Sequence, residues 1–576
     1  MGNSILSSNG LEIANSRYFI SENEDWEKLS NRVGNEIARA ENGNVYTYQE
    51  KFSEMIYDMD FLPGGRILRN AGRPRGSLFN CFLIPIDDSI EQIGQFLKDS
   101  LILWSEGGGV GTNLSYLRPR GAPIKGKGGN SSGPVSFLEA ADAVAATIES
   151  GGQRRAAGLA CMHVSHPDII EFIDAKLVHG KIAHFNLSVL VDDDFLEAVE
   201  ADKLWQFKFA QKDYGQIPAK EIWDKITTNA VTHAEPGILH WDNIRSNNSY
   251  FYDPVIGSNP CGEAILEPYG ICNLGSLVLT KFITGTINTN WQKLKETIYL
   301  AVRFLDNVIE VNKYVLKQND IKAHNSRRLG IGVMGLAEYL FAKSLRYGSE
   351  KAIYEIEKLM RFIRDTVYGA SVELAKEKGA FPKFDSVQYG KAHFVRSLPA
   401  KLRMEIKEHG VRNVTGLAIA PTGTISLLPE VTSGIEPLFR KAYLRKDRVS
   451  DRIYVHPIYK DLLKQKEKMP EWFVDTDDLK PEDHFETQSI VQKYVDGAVS
   501  KTINMPKGTT KDELSGLMLE YIHDLKGVTV YVDESREGQI LNKITEKEVR
   551  KHIKENMVKD GADIETTICV TGSCEI

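Results

Sequence analysis

Short apolar runs alternate with amphipathic stretches along most of this chain, and that alternation limits the fold more than any other feature. CFLIPI (81–86) precedes IEQIGQFLKDSLILW (90–104), and NLSVLV (186–191) precedes DDFLEAVEA (193–201). GLAIA (416–420) and VTVYV (528–532) follow in the second half. Runs this short suit strands, and the stretches between them have helical period, so the pattern predicts an α/β fold with parallel strands. Residues 16–60 lie outside the alternation and read as polar-faced helix, stopped by the breaker Phe61-Leu62-Pro63-Gly64-Gly65. Glycine clusters at 107–111, 126–134 and 151–158 mark tight turns or places where backbone comes close to something else. There is no internal repeat. From about 544 the chain becomes charged and then ends TTICVTGSCEI, which predicts a helix followed by a mobile tail.

With 576 residues, 42% hydrophobic and 26% charged, the chain has the composition of a globular protein with a large core. A net charge of −7 argues against a general nucleic-acid binder, although a local basic site for phosphates is compatible with it. The start, MGNSILSSNG, lacks a basic region followed by an apolar one, so no signal peptide is expected. Its Met-Gly with Ser7 is only a degenerate echo of a myristoylation signal. No apolar run reaches the roughly 18 residues of a membrane span. Six cysteines are too few for a secreted disulfide scaffold, so the expected setting is a reducing cytoplasm, that of a host if the chain is viral.

Two of those cysteines lie in SNPCGEAILEPYGICNLGS (258–276). Pro260 and Gly262 flank Cys261 and disfavour helix and strand, so Cys261 is predicted at a loop tip. Glu263 would bring a carboxylate near the sulfur, and Asn259 both a donor and an acceptor. The plainer alternative is a turn around an inert buried thiol. Cys272 and Cys81 each sit at the edge of an apolar strand, where core packing is the simplest role. The spacings fit no usual zinc pattern, and no metal site is predicted. CMHVSH (161–166) would make at most a partial site, and Pro167-Asp168 after it reads as an ordinary helix start. Cys569 and Cys574 are different: packing does not readily explain two thiols on a flexible end, whereas a reversible dithiol serving an interior site does.

Together NPCGE (259–263), CNLGS (272–276), the upstream NCF (80–82), APTGTIS (420–426) and the terminal C-x-x-x-x-C resemble the catalytic chain of ribonucleotide reductase. The likeness is nearest to the adenosylcobalamin-dependent (class II) branch and extends over most of the chain. It includes GGGVGTNLSYLRPRG (107–121), GGQRRAA (151–157), RRLGIGVMGLAEYL (327–340), APTGTISLLPEVTSGIEPLF (420–439) and SKTINMP (500–506). The resemblance implies an α/β fold of a particular kind, a ten-stranded α/β barrel of two five-stranded halves with a central finger loop. It implies a helical region over 1–62, the barrel over 63–545, and a C-terminal helix and redox tail over 546–576.

It also implies residue roles. Cys261 becomes a thiyl radical and abstracts the ribose 3′-hydrogen, Glu263 acts as base on the 3′-hydroxyl, and Asn259 orients the hydroxyls. Cys81 and Cys272 supply two electrons and become a disulfide, which Cys569 and Cys574 reduce before a thioredoxin- or glutaredoxin-like partner reduces them. Pro421, Thr422, Gly423, Thr424, Ile425 and Ser426 would cradle the substrate phosphates at a helix start, and Asn80 would touch the substrate. Lys125, Lys127, Gln153, Arg154 and Arg155 fall in loops similar to those that read dNTP or ATP effectors. Class I relatives bring their radical from a metal-binding subunit through two adjacent tyrosines; here Tyr531 is followed by Val532, which favours a cofactor. No Asp-x-His-x-x-Gly motif is present, an absence class II enzymes share, and the start shows no ATP-cone signature. A class I-type catalytic subunit is the alternative. By analogy the substrate is a diphosphate and the enzyme a homodimer, with neither nucleic acid nor membrane as partner.

Overall fold

The computed structural model describes residues 5–562 except 125, 127, 151–153, 179, 286, 447–450, 466 and 534–540. The N-terminal part is helical, as predicted, with helices Ser8–Arg17, Trp26–Ala38 and Val45–Tyr57. Asp25 starts the second by accepting the backbone N–H of Lys28 at 2.8 Å. Its buried Trp26, Leu29, Val33 and Ile37 recur at helical spacing and share one hydrophobic cluster with Phe52, Met55 and Ile56 of the third. Gly34 permits the close crossing, because a Cβ there would stand 2.3 Å from Ser53 Oγ. The breaker at 61–65 does more than stop a helix. Phe61–Pro63 is an edge strand antiparallel to Leu274–Val278, and Gly65–Asn70 is a short helix. Pro63, which lacks a backbone donor, is tolerated at that edge.

Beyond it the chain is α/β. Cys81–Leu83, Gly109–Asn113, Ala157–His163, Phe185–Val191 and Gly237–His240 pair side by side in parallel. Helices such as Ile90–Ser105, Pro134–Ala146 and Ala219–His233 make the crossovers. Gly527–Val532 joins the last of these strands antiparallel, through Ile238 opposite Val528, and Thr502–Met505 pairs in parallel with it. At the other end, Ile271–Cys272 lies antiparallel to the first strand.

A second set of pairings runs through Leu274–Val278 and Gly330–Met334, which are parallel. GLAIA continues it. Ala418 N donates to Ile331 O at 3.2 Å and Ser500 N to Ile419 O at 2.9 Å, linking 330–334 to the segment that leads into Thr502–Met505. The long helices Trp291–Val311 and Glu350–Lys378 connect strands of this set. One buried apolar cluster includes Phe52, Trp104, Phe304 and Val528, so the helical region and both sets share a core.

Candidate active site

The loop tip around Cys261 is the end of a short hairpin. Gly257–Ser258 pairs antiparallel with Ile265–Leu266, and Gly262 turns the tip at φ +83°. Asn259 builds the turn from inside: its N–H donates to Ala264 O at 3.1 Å, and its Oδ1 accepts from Ala264 N at 2.9 Å. Two strands hold the hairpin down. Asn113 Nδ2 donates to Ile256 O at 2.7 Å and Asn186 Nδ2 to Pro260 O at 3.2 Å.

The glycines of 107–111 explain how the hairpin fits. A Cβ at Gly111 would lie 1.9 Å from Ser258 O, and one at Gly109 would lie 2.9 Å from Pro260 Cγ. This cluster therefore clears a path for another piece of backbone, one of the two readings the sequence left open.

Cys261 is exposed at the tip, while Asn259 and Glu263 beside it are buried. Burial pushes the Glu263 carboxyl up to about 7. The Asn259 amide pulls it partly back, at a separation or angle that leaves Asn259 Nδ2 and Glu263 Oε2 without a formed hydrogen bond. Two buried polar atoms beside the tip thiol thus keep hydrogen-bonding capacity to spare.

Cys81 and Cys272 stand directly opposite each other in the strand pair, where Cα atoms are about 4.5–5.5 Å apart, within the roughly 7 Å a disulfide requires. Both are free thiols. Burial raises the Cys272 thiol well above its usual range, with further contributions from Cys81, Glu263 and Cys261 in its surroundings. The structure thus gathers five predicted residues, Cys81, Asn259, Cys261, Glu263 and Cys272, around one point.

The other candidates are placed as follows. Asn80 Oδ1 accepts from Arg66 N at 3.3 Å, and its carbonyl accepts from Gly109 N at 2.8 Å. In 421–426, Thr422 takes a positive φ of 53°, and its Oγ1 accepts from Gly434 N at 2.8 Å. Ser426 Oγ bonds Ser433 Oγ at 3.1 Å. Pro421 and Gly423 are exposed and Thr424 half-buried, with Ile425 and Ser426 buried behind them. The expected helix start is only the 3-10 turn Ile425–Leu427, because the buried hydroxyls are tied back to 433–434. Lys125, Lys127, Gln153, Cys569 and Cys574 lie outside the described residues, as do the side chains of Arg154 and Arg155, whose backbone pairs with 149–150.

The partial metal set of CMHVSH does not form. Cys161 Sγ is buried against Thr112 O at 3.4 Å, His163 faces Asp192, and His166 Nε2 meets Leu117 O at 2.9 Å. Sequence reading missed Asn186, whose one signal is a polar residue opening an apolar strand. It also missed the buried pair Arg328–Glu267 at 2.8 Å just beyond the hairpin.

Family models and known proteins match most of the chain. The family model described as "Ribonucleotide reductase, barrel domain" matches residues 79–531, and "Ribonucleotide reductase, all-alpha domain" matches residues 5–76. A "Vitamin B12-dependent ribonucleoside-diphosphate reductase" of Mycobacterium tuberculosis (strain CDC 1551 / Oshkosh) is 36% identical over 548 residues, covering 89% of this chain and 77% of the relative. One of the same description from Thermoplasma acidophilum is 35% identical over 570 residues, covering 92% and 72%. A "Ribonucleoside-diphosphate reductase subunit alpha" of Chlamydia trachomatis is 27% identical over 491 residues, covering 74% and 46%.

Proposed function

The chain belongs to the ribonucleotide reductase family, and from that premise we propose that it reduces ribonucleoside diphosphates to 2′-deoxyribonucleoside diphosphates by thiyl-radical chemistry, with adenosylcobalamin as radical generator. One observation carries the reading: two free thiols, Cys81 and Cys272, oppose each other in a strand pair beside a hairpin tip that presents Cys261 with Asn259 and Glu263.

The balance is simple. One ribonucleotide and two thiols give one deoxyribonucleotide, one disulfide and one water. Cys261 Sγ takes the hydrogen from C3′, which is feasible because S–H and activated ribose C–H bonds are similar in strength. Glu263 accepts the 3′-hydroxyl proton, a task suited to a carboxylate raised to about 7. Asn259 Nδ2, buried and without a partner, holds the ribose hydroxyls in place. The 2′-hydroxyl leaves as water with a proton from the thiol pair. The other thiol hydrogen goes to C2′, and Cys81 and Cys272, having given up two electrons, join as a disulfide. Glu263 returns its proton to the 3′-oxygen, and Cys261 returns its hydrogen to C3′.

The tip suits a large cofactor. Cys261 is exposed, and a Cβ on Gly262 would meet no atom within 4 Å. These two residues would form the face against which the reactive group sits. When bound, adenosylcobalamin supplies the one-electron oxidation of the Cys261 thiol. The single tyrosine of Val530-Tyr531-Val532 supports this route over a tyrosine relay from a second subunit.

The remainder of the proposal rests on the family likeness. Cys569 and Cys574 reduce the Cys81–Cys272 disulfide and are recharged by a thioredoxin- or glutaredoxin-like protein. The loops holding Lys125, Lys127, Gln153, Arg154 and Arg155 read dNTP or ATP effectors, Asn80 and 421–426 bind substrate, and the enzyme is a cytoplasmic homodimer. The strands form a ten-stranded barrel of two five-stranded halves, spanning 63–545 between a helical region (1–62) and a tail (546–576). The pairings between 330–334, 416–420 and 499–505 support it.

The test is an anaerobic assay of the full chain with a ribonucleoside diphosphate, adenosylcobalamin and dithiothreitol. Deoxynucleotide should form with no second protein. Product only on adding a metal-binding small subunit would replace this reading with the class I alternative.

A further inference from the structure

We propose that Asp193, His240 and His523 form a binding site for a divalent transition metal ion of the Zn2+ type, distinct from the thiol site. His240 ends the strand Gly237–His240, and its side chain is only 3% exposed. Its Nδ1 lies 3.1 Å from Ile522 O, an acceptor, so that nitrogen carries the hydrogen. Nε2 then presents a lone pair, yet it stands 2.8 Å from Asp193 Oδ1, a second acceptor. Both ring nitrogens therefore face oxygen acceptors, and a cation between Nε2 and the carboxylate resolves the conflict. His523 Nδ1 points to the same carboxylate oxygen at 3.3 Å.

The dimensions suit a metal. The three ligand atoms lie within 4.8 Å of one another. Tetrahedral Zn2+ with bonds of about 2.0–2.1 Å places its ligands roughly 3.3–3.4 Å apart. His523 Nδ1 and Asp193 Oδ1 already stand 3.3 Å apart, and the 2.8 Å between His240 Nε2 and Asp193 Oδ1 would open slightly to admit the ion. Two imidazoles and one carboxylate favour Zn2+ and its neighbours over Mg2+ or Ca2+, which prefer oxygen. The Ile522 carbonyl supplies the outer hydrogen bond that fixes a metal-bound imidazole. Backbone support comes from both sides: Asp193 N donates to Asp242 Oδ2 at 2.9 Å, and Asn243 Nδ2 donates to His523 O at 3.0 Å. Asp193 and His523 are exposed, leaving room for water as fourth ligand.

Position gives the site a role. Asp193 and His240 belong to the first set of strands and their crossovers, whereas His523 lies in the turn before Gly527–Val532. A bound ion would tie these parts together where the two sets meet antiparallel.

The experiment uses the chelator-treated full chain. Zn2+ is titrated by calorimetry, Co2+ is followed by visible absorption, and thermal unfolding is recorded with and without Zn2+. One Co2+ should bind without a thiolate-to-metal charge-transfer band, and Zn2+ should raise the unfolding temperature. Asp193→Asn and His523→Gln, both at exposed side chains, should each weaken that binding by at least about 100-fold, the upper end of what losing one supporting residue costs at a metal site. If both variants bind Zn2+ and Co2+ as the parent does, or if the parent binds neither, the proposal is overturned and His240 and Asp193 form a direct contact with no ion between them.

Discussion

Two seams at which antiparallel pairing interrupts a parallel order are chemically opposite. At one, Cys81–Leu83 meets Ile271–Cys272, and Phe82, Ile271 and Cys272 are each 2% exposed. At the other, Gly237–His240 meets Gly527–Val532, flanked by Asp193 and His523, which are 59% and 56% exposed. The dry seam carries two thiols. There burial raises the Cys272 thiol and disfavours its thiolate. The wet seam carries imidazoles and a carboxylate, the ligand types that the proposed cation would use. The same backbone device thus holds two kinds of chemistry, separated by solvent access.

The largest effect should come from the hairpin above the dry seam. Cys261→Ser should cut turnover to the assay floor, at least about 10^4-fold, as removal of a group that performs the chemistry does. Nucleotide binding by equilibrium dialysis should be unchanged. Retained turnover would break the contrast between the seams.

Next is Glu263→Gln, with kcat lowered by about 10^2–10^4-fold, the usual worth of a general base. The sign of the pH effect follows from the raised pKa. Below about 7 the carboxyl is protonated and cannot accept the 3′-hydroxyl proton, so kcat/KM should fall with decreasing pH through that value. The variant should lose that acid limb, and a profile that keeps it assigns the ionisation elsewhere.

Gly111→Ala should follow. Its methyl would collide with Ser258 O, costing about 1–3 kcal/mol of stability and displacing the tip. Denaturant midpoint and kcat should fall together, whereas loss of stability alone would mean that the tip tolerates displacement. The smallest effect belongs to the wet seam: without metal, His523→Gln should change stability by less than about 0.5 kcal/mol. A larger loss in metal-free protein would show the imidazole itself holding the seam.

Much of the dry site is legible in the sequence because its signals are local. Pro260 and Gly262 bracket Cys261 within one turn, and the α/β alternation needs only neighbouring residues. Cys81 and Cys272 are legible singly, as strand-edge cysteines, but their pairing across 191 positions follows from strand register, which periodicity does not encode. GLAIA illustrates another limit. Its apolar run predicts a strand, and its partners are reached by hydrogen bonds on both sides, including Asp496 Oδ1 accepting from Leu417 N at 2.8 Å.

By itself the sequence determined the α/β class, the helical N-terminal region, the loop tip and, through its motifs, the family. Those depend on spacing along the chain, where backbone preferences and side-chain period act directly. Only the tertiary structure decided what the glycines at 109 and 111 make room for, that Glu263 is buried enough to be raised to about 7, and that Asp193, His240 and His523 converge. Clearance, desolvation and ligand geometry belong to groups distant in sequence, and they exist only once the chain has brought those groups together.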